Sequence, residues 1–154
     1  MNKVPAYMKP QIEIKVSDPR LIPTRSHESD AGADLRCVTD YDMYPGEQVL
    51  LDTGVAIKIP VGFVGLVFNR SSQGNIKVGL SNSVGVIDSD YRGNIKVLLQ
   101  HDGTDPYHIA GNTTRIAQLV IVPIVLPEWS IYNEDQEDWD DTVRGTGGFG
   151  STGI

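Results

Sequence analysis

The stretch that decides the fold is GVAIKIPVGFVGLVF, residues 54–68. Val55, Ile57 and Ile59 recur at every second position, the period that predicts a half-buried strand. A proline and a glycine interrupt the pattern at residues 60–62, and an apolar run of strand length follows. The segment therefore predicts two strands separated by a turn.

Strand-like segments separated by turn-forming residues also occur on both sides of this stretch. Residues 11–16 alternate with period two, and residues 94–99 and 116–122 are further apolar segments of strand length. Clusters of turn-forming residues separate the segments, at 44–47, 101–103 and 110–112. Helical periodicity is confined to a possible short helix between residues 73 and 78. Many short strands with this spacing predict an all-β sandwich or barrel.

Composition sets the limits of the assignment. A chain of 154 residues with 40% hydrophobic residues suits one globular domain. The net charge of −7 argues against a broad surface for nucleic acid or an anionic membrane. A small phosphorylated substrate stays possible, because a few cations or a bound Mg²⁺ reverse the field inside a cleft.

The expected setting is intracellular and cytoplasmic. The single cysteine, Cys37, has no partner for an internal disulfide and is interpreted as a small buried hydrophobe. Residues 1–10 lack the apolar stretch of a signal peptide, and no run approaches the ~18–20 apolar residues of a membrane span.

The C-terminal stretch has a different composition. An acidic run occupies residues 134–141, and five glycines fall within residues 144–153. Because each glycine loses much backbone entropy on ordering, neither a stable helix nor a stable strand is expected there. We predict a β-barrel domain over 1–133 and a flexible arm over 134–154.

The arm nevertheless carries chemistry. GTGGFGST, residues 145–152, has the P-loop spacing except that Ser151 replaces the lysine, and the helix of a P-loop does not follow. Glycine N–H groups, the hydroxyls of Ser151 and Thr152, and Arg144 all suit a polyphosphate. The apolar ring of Phe149 is expected to pack either on a nucleobase or in a groove on the protein's own surface.

Three other segments hold candidate residues. Asp88 and Asp90 are candidates for a general base or for turn residues that bond their own backbone. Asp34 is a candidate for holding the waters of Mg²⁺, or for a turn acid before a strand. The sequence RSS at residues 70–72 follows an apolar strand and offers a phosphate-binding arginine, although a single arginine is more often a surface residue.

Taken together these segments resemble the five motifs of the trimeric dUTPase family, in order, from about residue 23 to the C-terminus. The matching segments are AGADL (31–35), RSS (70–72), GVIDSDYRG (85–93), RIAQ (115–118) and RGTGGFGSTG (144–153). The resemblance implies a jelly-roll β fold assembled as a homotrimer, with three active sites at subunit interfaces. It implies Mg²⁺-assisted attack of water on the α-phosphorus of dUTP, giving dUMP and pyrophosphate. That activity limits uracil incorporation into DNA and supplies dUMP for thymidylate synthesis.

The resemblance also implies roles for individual residues. Asp88 orients and activates the attacking water, Tyr91 lies under the deoxyribose, and Asp34 holds hydrated Mg²⁺, with the contact made through water. The uracil pocket is expected at Asn82, Gly85, Val86 and Ile87. The phosphate-binding residues are expected to be Arg70, Ser71, Ser72 and Gln118. The closing arm is expected to use Arg144, Phe149, Gly150, Ser151 and Thr152.

One departure leaves alternatives open. The second motif often reads PRSG, whereas Asn69 and Ser72 stand here, which predicts a looser turn. The RSS form also occurs in related dCTP deaminases, although those use a glutamate base and lack this glycine-rich tail. A third possibility is a regulatory protein, because some viral relatives bind repressors. The chain shows no long insertion between the fourth and fifth motifs that would form a dedicated partner surface.

Overall fold

The computed structural model describes residues 10–82, 84–133 and 142–148. This part of the chain contains eleven strands, one short α-helix and a 3₁₀ turn at Pro19–Leu21. The strands are β1 (Glu13–Val16), β2 (Ala33–Arg36), β3 (Tyr41–Met43), β4 (Gln48–Asp52), β5 (Val55–Lys58), β6 (Phe63–Phe68), β7 (Val78–Leu80), β8 (Gly85–Ile87), β9 (Lys96–His101), β10 (Tyr107–Ile109) and β11 (Arg115–Pro123). The helix is α1 (Gln73–Ile76).

All strand pairs are antiparallel, and they form four sheets. The largest sheet has the order β2-β11-β6-β8, and a three-stranded sheet has the order β4-β9-β7. Two further sheets pair β1 with β5 and β10 with β3. The prediction of an all-β fold with one short helix is confirmed. None of the helical segments in the described part of the chain has the length and apolarity needed to span a bilayer.

The inward faces of these sheets share one hydrophobic core. Leu35, Val67, Leu99 and Ile109 are almost completely buried in it. Cys37 lies there too, and burial raises the pKa of its thiol, so it is protonated at neutral pH. The interpretation of Cys37 as a buried hydrophobe is confirmed.

Four of the predicted strands lie where the sequence placed them, as β1, β5, β6 and β11, and the helix is confirmed as α1. The expected strand at 94–99 begins later, as β9. Its delay has a cause in Ile95, whose carbonyl accepts the Thr53 N–H and whose N–H donates to the Val55 carbonyl. The backbone of Ile95 is thus committed to the 52–55 turn before the β4–β9 ladder begins.

Two predictions about turns were wrong. His101, expected in a turn, ends β9, and its buried ring accepts the Gly103 N–H at Nδ1, 3.0 Å away. Asp34, weighed as a turn acid, lies inside β2, where its N–H donates to the carbonyl of Thr24 at 2.8 Å. In both cases the sequence showed turn-forming neighbours, and the pairing of distant strands decided the outcome.

Gly46 and Gly54 both hold a left-handed backbone, with φ of 81° and 65°. A Cβ at Gly46 would meet open space, whereas one at Gly54 would lie 2.4 Å from Ser17 Oγ and 2.7 Å from Leu21 Cδ1. Both positions therefore require a left-handed backbone, but only Gly54 is closely packed by neighbouring side chains.

We expect Gly46→Ala to lower the free energy of unfolding by about 1 kcal/mol through the left-handed backbone alone. Gly54→Ala adds overpacking of about 1–3 kcal/mol to that strain. Denaturant unfolding at one fixed protein concentration measures both variants. Equal destabilisation would contradict the close packing around Gly54.

Candidate active site

A cavity of about 230 Å³ opens beside β8. Six residues of the predicted nucleoside site line it: Asn82, Gly85, Val86, Ile87, Asp88 and Tyr91. Val67, Leu80 and Lys96 complete its wall. The cavity thus combines an apolar floor, backbone groups of a short strand, a carboxylate and an aromatic ring.

The pairing of β8 with β6 builds this cavity. Val67 stands opposite Gly85 in the register, and a Cβ at Gly85 would lie 3.2 Å from the Cβ of Val67. A side chain at residue 85 would therefore press on the strand behind it. Before β8 the Val84 N–H donates to the Asn82 carbonyl at 2.8 Å. After β8 the Tyr91 N–H donates to the Asp88 carbonyl at 3.2 Å, which closes the turn that carries both side chains.

Asp88 is exposed, and Tyr91 is 42% exposed, at the mouth of the cavity. The carboxylate is accessible to water, and the ring forms part of the cavity wall. This arrangement places a solvent-accessible carboxylate and an aromatic ring at the mouth of one pocket.

A second group of polar side chains lies on the outer face of the largest sheet. Gln118 of β11 stands opposite Asp34 of β2 on one side and Phe68 of β6 on the other. Because opposed residues in an antiparallel pair share a face, the register alone brings Asp34 and Gln118 together. Arg70 follows β6 by two residues and reaches the same place.

Two arginines share the Asp34 carboxylate. Arg70 Nε lies 2.6 Å from Oδ1, and Arg115 Nη1 lies 3.2 Å from Oδ2. The Asp34 and Arg70 side chains are only 15% and 21% exposed, so solvent screens their pair weakly. Arg115 was not among the predicted site residues, although it opens the fourth motif.

Gln118 lies against the first motif. Its amide donates to the Asn69 carbonyl at 2.7 Å, and a Cβ at Gly32 would sit 2.1 Å from its Oε1. The glycine of AGADL is therefore required by the side chain that packs on it.

The loop that carries Arg70 is fixed by a buried amide that sequence reasoning missed. The Arg70 N–H donates to Gln73 Oε1 at 2.6 Å, and Gln73 Nε2 donates to the Ile116 carbonyl at 2.9 Å. Gln73 is 4% exposed, so both bonds form away from water. Ser71 and Ser72 are exposed on the same loop, and Ser72 Oγ accepts from Arg70 Nη1 at 3.3 Å.

The expected loosening of this turn by Asn69 is not what the structure shows. Asn69 Oδ1 accepts the Leu80 N–H at 2.6 Å, which ties the loop to β7. A proline has no side-chain acceptor and cannot make this bond. Where the second motif often has a rigid proline, Asn69 instead stabilises the turn through a hydrogen bond to β7.

The donor set at Asp34 fits the predicted magnesium contact through water. A carboxylate has about four acceptor positions, and the two arginines engage one oxygen each. The remaining positions can accept from waters of a hydrated cation, whereas direct ligation would place the cation beside two guanidinium groups. The described residues contain no cluster of three His, Cys, Asp or Glu side chains placed to hold a metal ion. Mg²⁺ commonly uses one or two carboxylates together with substrate phosphates.

Arg144 lies neither in the wall of the cavity nor among the polar contacts of Asp34. Its Nε donates to the Gly147 carbonyl at 3.1 Å, within a turn in which Gly145 has φ of 51°. The other predicted residues of the closing arm and the whole acidic run lie outside the described residues: Phe149, Gly150, Ser151, Thr152 and residues 134–141.

Lys96 is a further residue that the sequence did not reveal. It begins β9 opposite Asp52 and reaches the wall of the cavity. A lone lysine in an alternating strand carries no signal of its own, and only the folded cavity, which Lys96 lines together with residues of β8, shows its place.

Comparison with known proteins agrees with this geometry. The family model described as dUTPase matches residues 18–153. The deoxyuridine 5'-triphosphate nucleotidohydrolase of Cutibacterium acnes is 46% identical over 142 residues, which cover 90% of each chain. That of Escherichia phage T5 is 41% identical over 150 residues, 92% of this chain and 98% of the other.

Solved structures are similar as well. A variant of Staphylococcus bacteriophage 80alpha dUTPase with dUpNHpp has a TM-score of 0.80 at 27% identity, over 95% of this chain and all of that one. The dUTPase from phage phi11 of S. aureus, in a structure described as revealing a structural Mg(II) ion, has a TM-score of 0.73 at 26% identity, over 81% of this chain and 98% of that one. The chain belongs to the dUTPase family.

Proposed function

We propose that this protein hydrolyses dUTP to dUMP and pyrophosphate, with the nucleoside bound in the cavity beside β8. The observation that carries the proposal is the cavity itself, which unites Asp88 and Tyr91 with the strand of the third motif. Family membership supplies the reaction, and the geometry assigns roles to the residues.

The cavity accounts for base and sugar recognition. Backbone groups of residues 85–87 face a pocket of about 230 Å³ and offer hydrogen bonds to the edge of uracil. We expect the same backbone segment to crowd a substituent such as the thymine methyl. The Tyr91 ring occupies the place where a 2′-hydroxyl would project.

Asp88 acts as the general base. It takes a proton from water as the water oxygen bonds to the α-phosphorus, and the bond from that phosphorus to the pyrophosphate oxygen breaks. The exposed carboxylate beside the cavity has the access to water that this step requires.

The phosphates are assigned to the group around Arg70. Asp34 holds Arg70 in place, and Ser71, Ser72 and Gln118 add donors on the same loop and strand. Asp34 would hold the waters of a Mg²⁺ ion on the triphosphate, and that ion, when bound, would neutralise part of the phosphate charge.

We infer that the active form is a homotrimer with shared sites. After β11 the chain exposes Val125, Leu126, Trp129 and Ile131, each at least 66% accessible. A monomer rarely exposes such a run of large apolar side chains, so we assign it to contact with a second copy. Convergence of residues from different chains also explains how a chain with net charge −7 binds a triphosphate.

The closing arm completes the proposal. Arg144 and the hydroxyls of Ser151 and Thr152 grip the γ-phosphate, while Phe149 stacks on uracil. Closure would exclude bulk water and strengthen the charge contacts inside. The unpaired Cys37 agrees with the expected intracellular setting, which stays a prediction.

The alternatives rank lower. The third motif carries Asp88 where the deaminases use glutamate, and the relatives described above are named for dUTP hydrolysis. The phage 80alpha dUTPase, 29% identical, is described as controlling transfer of virulence genes, and that role belongs to that protein.

Substrate choice tests the proposal directly. Incubation with Mg²⁺ and, in turn, dUTP, dCTP, dTTP and UTP is expected to release pyrophosphate from dUTP far faster than from the others. Product identification by chromatography distinguishes the outcomes. Ammonia from dCTP would select deamination, and no turnover of any nucleotide would select a binding role.

The role of Asp88 is tested by Asp88→Asn. We expect kcat to fall by about 10²–10⁴-fold, because the amide cannot take the proton from water. Binding of a non-hydrolysable dUTP analogue, measured by calorimetry, should stay close to that of the wild type. Asp90→Asn is the matched control, since Asp90 lies two residues away and is not part of the cavity wall.

Removal of residues 144–154 tests the arm and the assembly together. The truncated chain is expected to sediment like the full chain, at three times the 16.8 kDa of one protomer, and to lose nearly all turnover. Val125→Asp is the contrasting variant, because a charge in the apolar run should dissociate the assembly. A full-length chain that sediments as a monomer yet turns over dUTP at full rate would overturn the shared-site proposal.

A further inference from the structure

The ring of Tyr91 is held by polar contacts that lead to Asp52, a residue outside the five motifs and outside the cavity wall. The Tyr91 hydroxyl donates to the carbonyl oxygen of Asn94 at 2.9 Å. The Asn94 side chain in turn donates from Nδ2 to both oxygens of Asp52, at 3.1 and 3.3 Å. Asp52 Oδ1 also accepts the Gly54 N–H at 2.7 Å, which fixes the carboxylate.

The other side of the ring is closed by Gly93. A Cβ on Gly93 would lie 2.5 Å from the Tyr91 hydroxyl oxygen and 2.8 Å from Cζ. The phenol therefore rests directly on the glycine backbone. It has no space to retreat in that direction when a substrate presses on it.

The backbone that receives the hydroxyl is itself anchored in the core. Directly after Asn94, the carbonyl of Ile95 accepts both the N–H and the hydroxyl of Thr53, at 3.1 and 2.7 Å. Thr53 and Ile95 are completely buried. The hydrogen bonds from Tyr91 thus lead to Asp52 at the end of β4, next to the buried pair of Thr53 and Ile95. The turn that carries the ring precedes β9, the strand that pairs with β4.

We propose that Asp52 and Asn94 are positioning residues that hold the Tyr91 ring in place and thereby set the preference for a deoxyribose over a ribose. This inference rests on the proposed function, because it needs the sugar to lie against Tyr91. Exclusion of a 2′-hydroxyl depends on a wall that does not yield. A ring that can shift by about the radius of an oxygen atom admits the larger sugar, whereas the smaller sugar binds to either arrangement.

The measurement is the ratio of kcat/KM for dUTP to kcat/KM for UTP. We expect Asn94→Ala to lower this ratio about fivefold, the change that corresponds to one net hydrogen bond, mainly by raising kcat/KM for UTP. Asp52→Ala should act in the same direction. Both substrates are measured on one preparation, so partial unfolding or loss of active sites cancels in the ratio.

Three further variants sharpen the test. Tyr91→Phe keeps the ring and removes only the hydroxyl, so it should lower the ratio like Asn94→Ala. Gly93→Ala should lower it further, because the added methyl displaces the ring. Asp42→Ala is the matched control: Asp42 accepts from His108 at 2.6 Å in the β3–β10 sheet and has no path to the cavity.

The double variant of Asn94→Ala with Tyr91→Phe decides whether the residues act through one path. If they do, its ratio equals that of the lower single variant. Multiplied losses, or an unchanged ratio in Asn94→Ala, would overturn the inference and leave the proposed function standing. Failure of the wild-type protein to hydrolyse dUTP is a separate result, and it would overturn the proposed function itself.

Discussion

The pairing of β11 with β2 on one side and β6 on the other is the constraint on which the polar site depends. It puts Gln118 between Asp34 and Phe68, and it carries Arg115 to the end of the same ladder. The Asp34 carboxylate then holds two guanidinium groups, one from each neighbouring segment. A shift of one residue in that register would turn one of Asp34 and Gln118 to the core face, away from the other.

The loop that carries Arg70 is tied to the neighbouring strands by side-chain hydrogen bonds. Gln73 joins the N–H of Arg70 to the carbonyl of Ile116 on β11, and Asn69 joins the loop to Leu80 on β7. Loops ordinarily move more than the strands that they connect. Here the Gln73 side chain holds the Arg70 N–H on the four-residue connection between β6 and α1, and the Asn69 side chain ties this connection to β7, so that the arginine is presented from a fixed base.

The sequence predicted what is local and missed what depends on distant pairing. Period-two runs such as residues 55–59 identify a strand without knowledge of its partner, and the residues singled out in the third motif lie together around one cavity. The bond from Gln73 to Ile116 spans 43 positions, and the one from Asn94 to Asp52 spans 42. Nothing in the neighbourhood of those residues indicates such partners. The same limit explains why Lys96 and Arg115 were not assigned, and why Asn69 was expected to loosen a turn that it stabilises.

Tyr91 and Asp88 have different surroundings, and the chemistry proposed for each calls for that difference. The Tyr91 ring is held at its hydroxyl and rests on Gly93, and the proposed selection by exclusion requires a wall that does not move. Asp88, on the same turn, is exposed at the mouth of the cavity, and the proposed base must be reached by water. The turn closed by the Tyr91 N–H and the Asp88 carbonyl joins these two demands within four residues. In the proposed mechanism, a ring held in place also holds the backbone from which the Asp88 carboxylate projects, so that sugar selection and water activation would share one anchor in the β4–β9 pair.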